Sequence, residues 1–126
     1  MILIIGGSYQ GKLEYARQRF SLADADIFFC SETVESLDFN RRCIAYVDRW
    51  ALNCVRRDTE PADVLRGDLD RLRDAIVIAN DISCGVVPAD AGLRAWREAC
   101  GRLNLLLAGA ADEVWRLFCG LPQQIK

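Results

Sequence analysis

The first thirteen residues constrain this chain more than any other stretch. An apolar run, Ile2–Ile5, leads without a break into Gly6-Gly7-Ser8-Tyr9-Gln10-Gly11-Lys12-Leu13, and a helix-like segment, Lys12–Phe20, follows. Strand, glycine loop and helix in that order form the layout of a phosphate-binding loop. Glycines let the backbone curl until successive N–H groups point inward as an anion nest. The helix behind the loop adds the positive end of its dipole. Lys12 stands where a side-chain ammonium reaches the outer phosphates of a nucleoside triphosphate. The pattern GxxxxGK is complete up to its last position. Where Ser or Thr would offer a hydroxyl to Mg²⁺, the chain has Leu13, which carries no oxygen. A tight strand–helix turn with a solvated lysine satisfies the same letters, so the reading depends on what else the chain places beside the loop.

Four further runs read as strands: Ile27–Cys30, Cys43–Val47, Ile76–Ala79 and Val114–Cys119. Several are apolar on both faces, which suits the buried parallel sheet of an α/β protein better than half-exposed hairpins. Helix-like segments lie between them. Trp50–Arg57 is one, and Pro61–Arg73 is another, with Thr59 and Pro61 as start signals and Leu65, Leu69 and Leu72 on one face. The longest runs from Asp90 to Ala110 and buries Leu93, Trp96, Leu103, Leu106 and Leu107. The connection from Cys30 to Cys43 is short, polar and without a helical pattern. No repeat or linker interrupts the chain. The prediction is a single domain over residues 1–126, α/β and P-loop NTPase-like (RecA-like), with a mainly parallel sheet of about five strands and helices on both faces. At 126 residues, roughly two thirds of the unfolded surface can be buried, enough for a core without metal or disulfide staples.

Composition narrows the chemistry. The chain contains no histidine, which excludes Ser-His-Asp and Cys-His machinery, a histidine general base and His-containing metal sites. With 16 basic and 18 acidic side chains, nucleic acid is not an expected partner. Fourteen of the basic residues are Arg, and the only lysines are Lys12 and Lys126. An arginine-rich surface suits phosphate recognition, and codon bias produces it equally well. The six cysteines, at 30, 43, 54, 84, 100 and 119, include no CxxC pair. Several sit inside apolar runs, where a free thiol acts as a small buried hydrophobe. Met1–Gly7 lacks the basic region and long apolar core of a secretory signal, and Leu105–Ala111 is too short to span a bilayer. The expectation is a cytoplasmic protein with reduced thiols and no membrane span.

Two carboxylates fall at predicted strand ends. Asp48 follows Cys43–Val47, and Asp81 follows Ile76–Asn80. Open parallel sheets bind ligands beyond the carboxyl ends of their strands, so the glycine loop, Asp48 and Asp81 are placed to converge there. Asp48 occupies the position from which phosphate-loop proteins hold the magnesium shell. Without histidine, a carboxylate is the natural acceptor for the proton of an attacking hydroxyl, and Lys12, Asp48 and Asp81 are the candidate catalytic residues. Each acid equally serves as a helix cap.

The C-terminal block reads Asn80-Asp81-Ile82-Ser83-Cys84-Gly85-Val86-Val87-Pro88, then Trp96-Arg97-Glu98, Gly101-Arg102-Leu103-Asn104, Ala110-Ala111-Asp112-Glu113-Val114-Trp115, Gly120-Leu121-Pro122 and Lys126. This resembles the adenosylcobinamide kinase / adenosylcobinamide-phosphate guanylyltransferase family of cobalamin biosynthesis, which carries NEVGxGxVP, FRD, GRxNQ, AxxADEV and a closing GxPxxxK in this order. That family also opens with GGxxSGKS after its first strand. The likeness covers roughly residues 1–16 and 43–126, and its specific part is the tail. It implies a phosphate-loop α/β fold, a homo-oligomer (usually a trimer), and GTP or ATP with Mg²⁺. It also implies a corrinoid substrate, whose aminopropanol hydroxyl is phosphorylated before GMP is transferred to that phosphate. Position by position, Gly6, Gly7, Ser8, Gly11 and Lys12 match the family's nucleotide loop, and Tyr9, Gln10 and Leu13 complete the candidate cofactor-binding stretch. It matches Asp48 to the family's acid after the third strand, as metal holder, and puts Asp81 where the family has glutamate. Arg97, Arg102 and Asn104 match polar motif positions in the long helix and are candidate substrate contacts; helix-surface pairing, for instance with Glu98 or Asp112, is the plainer role.

The chain departs from that family at three places. The loop ends in Leu13 rather than serine, the GRxNQ glutamine is Leu105, and the region of the family's covalent histidine is the short tract Ser31–Arg42, without a histidine. Guanylyl transfer through a covalent intermediate needs a nucleophile there. Three functional readings stand at this point: a kinase-like enzyme acting on adenosylcobinamide, a module that binds nucleotide or corrinoid without chemistry, and an interaction protein that kept only the fold.

Overall fold

The apolar run at residues 2–6 belongs at the centre of the sheet, because both of its faces need cover. In the computed structural model, which describes residues 1–126, β1 (Ile2–Gly6) lies between β4 (Ile76–Asn80) and β5 (Glu113–Phe118), parallel to both. Beyond β4 come β3 (Cys43–Ala45) and then β2 (Ile27–Phe29), also parallel. Beyond β5 lies β6 (Leu121–Gln124), antiparallel. The order is β2-β3-β4-β1-β5-β6.

Chain direction decides which face each helix covers. The step from β1 to β2 moves one way across the sheet, while β3 to β4 and β4 to β5 move the other. Right-handed crossovers then put α1 (Lys12–Phe20) on one face and α2 (Val47–Arg56), α3 (Pro61–Arg66) and α4 (Ala91–Ala110) on the opposite one. The two cores bear this out. Leu3, Ile44, Val77 and Val114 pack with Trp50, Leu65, Leu103 and Leu107, whereas Ile4, Cys43, Ile78 and Leu117 pack with Ala16 and Leu22. Alternate residues of each strand thus feed opposite cores, as the two-residue period of a strand requires.

Four features differ from the sequence reading. The sheet has six strands rather than about five, because Leu121–Gln124 pairs with β5 through a turn at Cys119 (φ 50°) and Gly120 (φ 76°). A Leu-Pro-Gln-Gln stretch shows no strand alternation, and Pro122 is tolerated because this is an edge. The third strand stops at Ala45, since Tyr46 takes a left-handed conformation (φ 64°) and Val47 already begins α2, three residues before the expected start at Trp50. The segment Pro61–Arg73 is not one helix. It stops at Arg66 before Gly67 and resumes as a 3-10 turn, Leu69–Leu72, which still buries Leu65 and Leu72. Asp48 consequently sits in the first turn of α2 rather than at a strand end. No helix is long and apolar enough to cross a membrane.

Candidate nucleotide-binding site

The glycine loop forms the floor of a cleft beyond the carboxyl end of β1. Gly6 is required by contact: a Cβ there would overlap the Leu117 carbonyl oxygen of β5. Gly11 is required by conformation, because it starts α1 at φ 84°, where L side chains are strained. Tyr9 also has positive φ (60°), and its side chain stands fully in solvent. The loop is braced from the far end of the sequence. Gln10 accepts hydrogen bonds from the N–H groups of both turn residues between β5 and β6, from Cys119 on Oε1 (2.5 Å) and from Gly120 on its carbonyl oxygen (3.2 Å).

Lys12 is 3% exposed, and its Nζ donates to the Gly7 carbonyl at 2.6 Å. The ammonium is therefore folded back over the loop it opens from. Burial pushes the Lys12 pKa down, and the Asp48 carboxylate works against that shift. The cleft measures about 430 Å³ and is lined by Ser8–Glu14 together with Tyr46, Arg49 and Asn80. Arg49 lies over the Tyr46 ring at 5.0 Å. Tyr46, Arg49 and Asn80 were not singled out from the sequence as lining residues. A tyrosine gives no sign of its left-handed backbone, and an arginine one place after an acid reads as ordinary helix surface.

Asp48 is buried and is held from two sides. Its Oδ1 accepts the Asn80 backbone N–H (2.9 Å) and its Oδ2 accepts Asn80 Nδ2 (3.0 Å). Its main-chain oxygen accepts Trp96 Nε1 at 2.7 Å, which ties the start of α2 to α4. Asn80 keeps its own Oδ1 buried and without a partner.

Asp81 lies next to this cleft, because its N–H donates to the Gly6 carbonyl at 2.9 Å. Asp81 lines a second recess of about 260 Å³, together with Ile5, Ser83, Cys100, Gly101, Asn104 and Leu105. Burial pushes the Asp81 carboxyl up, yet hydrogen bonds from the Ser83 hydroxyl and N–H and the Cys84 thiol, with the Arg116 charge, hold it below the usual carboxylate range. Asp81 is thus ionised at neutral pH and is better suited to orienting a hydroxyl than to deprotonating it strongly.

The three long-helix residues divide. Asn104 shares the recess with Asp81. Arg97 donates to the carbonyls of Ser83, Gly85 and Val86 and so holds the exposed loop between β4 and α4 against the helix. Arg102 is elsewhere, forked onto Glu60 Oε2 through Nε (3.1 Å) and Nη2 (2.8 Å). Its partner is neither of the acids suggested by sequence proximity. Lys12, Asp48 and the loop are brought together, Asp81 and Asn104 adjoin them, and Arg102 does not. No cluster of three or more Cys, Asp or Glu side chains is arranged as a metal cage.

An open, mainly parallel sheet with a glycine loop after its central first strand defines a P-loop-like α/β protein. Residues 60–125 match the Cobinamide kinase / cobinamide phosphate guanyltransferase family, and the chain belongs to that family. The bifunctional adenosylcobalamin biosynthesis protein CobU of Salmonella typhimurium is 39% identical over 51 residues, and that of Escherichia coli is 37% identical over 51 residues. Each alignment takes in 40% of this chain and 28% of the relative, well under two thirds of the relative's length. The family match covers α3, β4, α4, β5 and β6, with Asp81, Arg97, Arg102 and Asn104; the glycine loop and Asp48 lie outside it.

Proposed function

We propose that this chain binds the triphosphate of GTP or ATP in the Gly6–Leu13 loop and phosphorylates the hydroxyl of adenosylcobinamide in cobalamin biosynthesis. The observation that carries this reading is Lys12, a buried lysine folded against the glycine loop beside buried Asp48. A phosphate entering the nest offers that ammonium a better partner than the Gly7 carbonyl. The acceptor hydroxyl oxygen forms a bond to the γ-phosphorus, the bond from that phosphorus to the β-bridging oxygen breaks, and the nucleoside diphosphate leaves. The hydroxyl proton passes by way of Asp81 to solvent. A weakly basic carboxylate suffices, because the transition state of phosphoryl transfer is loose and catalysis is mostly positioning and charge stabilisation. Asn104, which lines the same recess, orients the acceptor in this reading.

Mg²⁺ belongs to this reading as the counter-charge to the phosphates. The donor chemistry fits an ion held mainly by phosphates and water, with the Asn80 amide oxygen as the protein oxygen and Asp48 adding negative charge behind it, since Mg²⁺ keeps several waters and needs only one or two protein ligands. Guanylyl transfer through a covalent histidine has no residue in this chain on which to form. Free thiols suit a cytoplasmic setting, and the exposed apolar Phe118, Leu121 and Ile125 suit a homo-oligomer such as a trimer.

The test is phosphorylation of adenosylcobinamide with GTP or ATP, followed by mass spectrometry of the corrinoid. Product from the wild-type chain and none from Lys12→Ala is the expected result; no phosphorylated corrinoid with either nucleotide would overturn the enzyme reading. Two observations favour a second reading, a binding module without chemistry: Leu13 lacks the metal-directed hydroxyl, and both Asp48 oxygens already accept hydrogen bonds. Saturable GTP binding without turnover identifies that case.

A further inference from the structure

The amide oxygen of Asn80 is the one buried side-chain nitrogen or oxygen in the chain without a hydrogen-bond partner. Buried acceptors are normally matched, so an unmatched one on a residue that lines a cleft calls for an external partner. Its orientation is fixed from within. Nδ2 donates to Asp48 Oδ2, and turning the amide over would set two oxygens against each other. Asn80 ends β4 in register with Gly6 at the end of β1, and it lines the cleft that holds Lys12 and the loop. An amide oxygen repels phosphate and binds either a hydrogen-bond donor or a hard cation. The ammonium in the cleft is already engaged, on the Gly7 carbonyl.

Leu13 leaves the loop one oxygen short of what Mg²⁺ ordinarily receives there. Resting on the nucleotide reading above, we infer that Asn80 Oδ1 supplies the metal-side oxygen that Leu13 lacks, facing the Mg²⁺ of a bound Mg–nucleotide or one of its waters. Asp48 then acts mainly as a positioning residue: its carboxylate holds the amide in the one orientation that presents an oxygen, and it adds negative charge behind it.

The experiment compares GTP affinity with Mg²⁺ and with EDTA, by calorimetry, in the wild-type chain, Asn80→Ala, and Asn80→Ala combined with Leu13→Ser. The wild type should bind Mg·GTP at least roughly tenfold more tightly than metal-free GTP, a span in keeping with the loss of one metal-shell partner. Asn80→Ala should remove that advantage and leave metal-free affinity within about twofold. Adding Leu13→Ser should restore much of it, which a purely structural role for Asn80 would not produce. An undiminished Mg²⁺ advantage in Asn80→Ala overturns the inference, as does an equal fall in affinity with and without metal, or a wild type with no advantage at all. If GTP does not bind under either condition, the nucleotide reading itself fails and takes the inference with it. Should Asn80→Ala not fold, Mn²⁺·GTP on the wild-type chain decides by NMR: selective broadening of the Asn80 side-chain amide over that of Asn40 supports the inference, and equal broadening overturns it.

Discussion

Gly6 and Leu117 meet so closely that the β5 carbonyl oxygen fills the space where a side chain on Gly6 would begin. The glycine loop therefore starts from a residue fixed by sheet packing. Backbone cannot step aside as a flexible side chain can. Gly6→Ala should cost about 1–3 kcal/mol or more, the range for overpacking a tight core, read as a lowered denaturant midpoint. Nucleotide-induced stabilisation should fall with it, because the strain enters at the first residue of the nest.

Lys12 separates stability from binding. It is a buried cation whose only polar partner is a neutral carbonyl. Lys12→Met keeps the stem and drops the charge, so the melting temperature should hold or rise. GTP should raise the melting temperature of the wild type and leave that of the variant unchanged, since ligand binding stabilises by mass action. A variant that melts lower and still responds to GTP would contradict this account of the lysine.

The thiols set the alkaline limit. Burial pushes Cys30 and Cys43 up to about 12 and Cys54 to about 11 from an ordinary 9.0, and Cys100 is raised as well. Above pH 9 the unfolded chain loses these protons while the folded chain keeps them. The proton count is then lower in the unfolded state, so stability falls as pH rises, by at most about 1.4 kcal/mol per pH unit for each thiol. Lys12, with its lowered pKa, opposes this as a single group. Urea melts from pH 8 to 10.5 should show a declining midpoint. A thiol reagent should titrate two cysteines quickly in the native state, Cys84 and Cys119, and the other four only on unfolding.

Arg102 tests whether the long helix contributes one surface or two. It grips Glu60, which also caps α3 through the Ala62 N–H. The pair is partly exposed, so Arg102→Ala should cost no more than about 1 kcal/mol. Corrinoid phosphorylation should be unchanged. A large rise in KM for the corrinoid would instead return Arg102 to the substrate side.

Much of this molecule was legible in its letters, for identifiable reasons. Strands β1 and β4 and helices α1 and α4 stood out because each is bounded by a sharp signal: Gly6 and Gly11 before α1, Asp90 before α4, and continuous apolar runs in the strands. What escaped depended on backbone conformation or distance in sequence. The left-handed Tyr46 moved the start of α2 and brought Asp48 onto Asn80. The β6 edge strand forms because β5 offers it a partner rather than through any pattern of its own. The carboxylates were placed near the loop, but their different surroundings, Asp48 buried against Asn80 and Asp81 in a recess beside Ser83, depend on side-chain geometry.

The brace between Gln10 and the Cys119–Gly120 turn has a consequence for how the site comes into being. The loop is synthesised more than a hundred residues ahead of the peptide groups that hold it. Central β1 likewise waits for both of its neighbours, residues 76–80 and 113–118. Closing such long loops is slow, and it precedes the contacts that reward it. A nascent chain lacking β5 has neither wall nor brace for its glycine loop, so the proposed nucleotide site should form late and abruptly during synthesis.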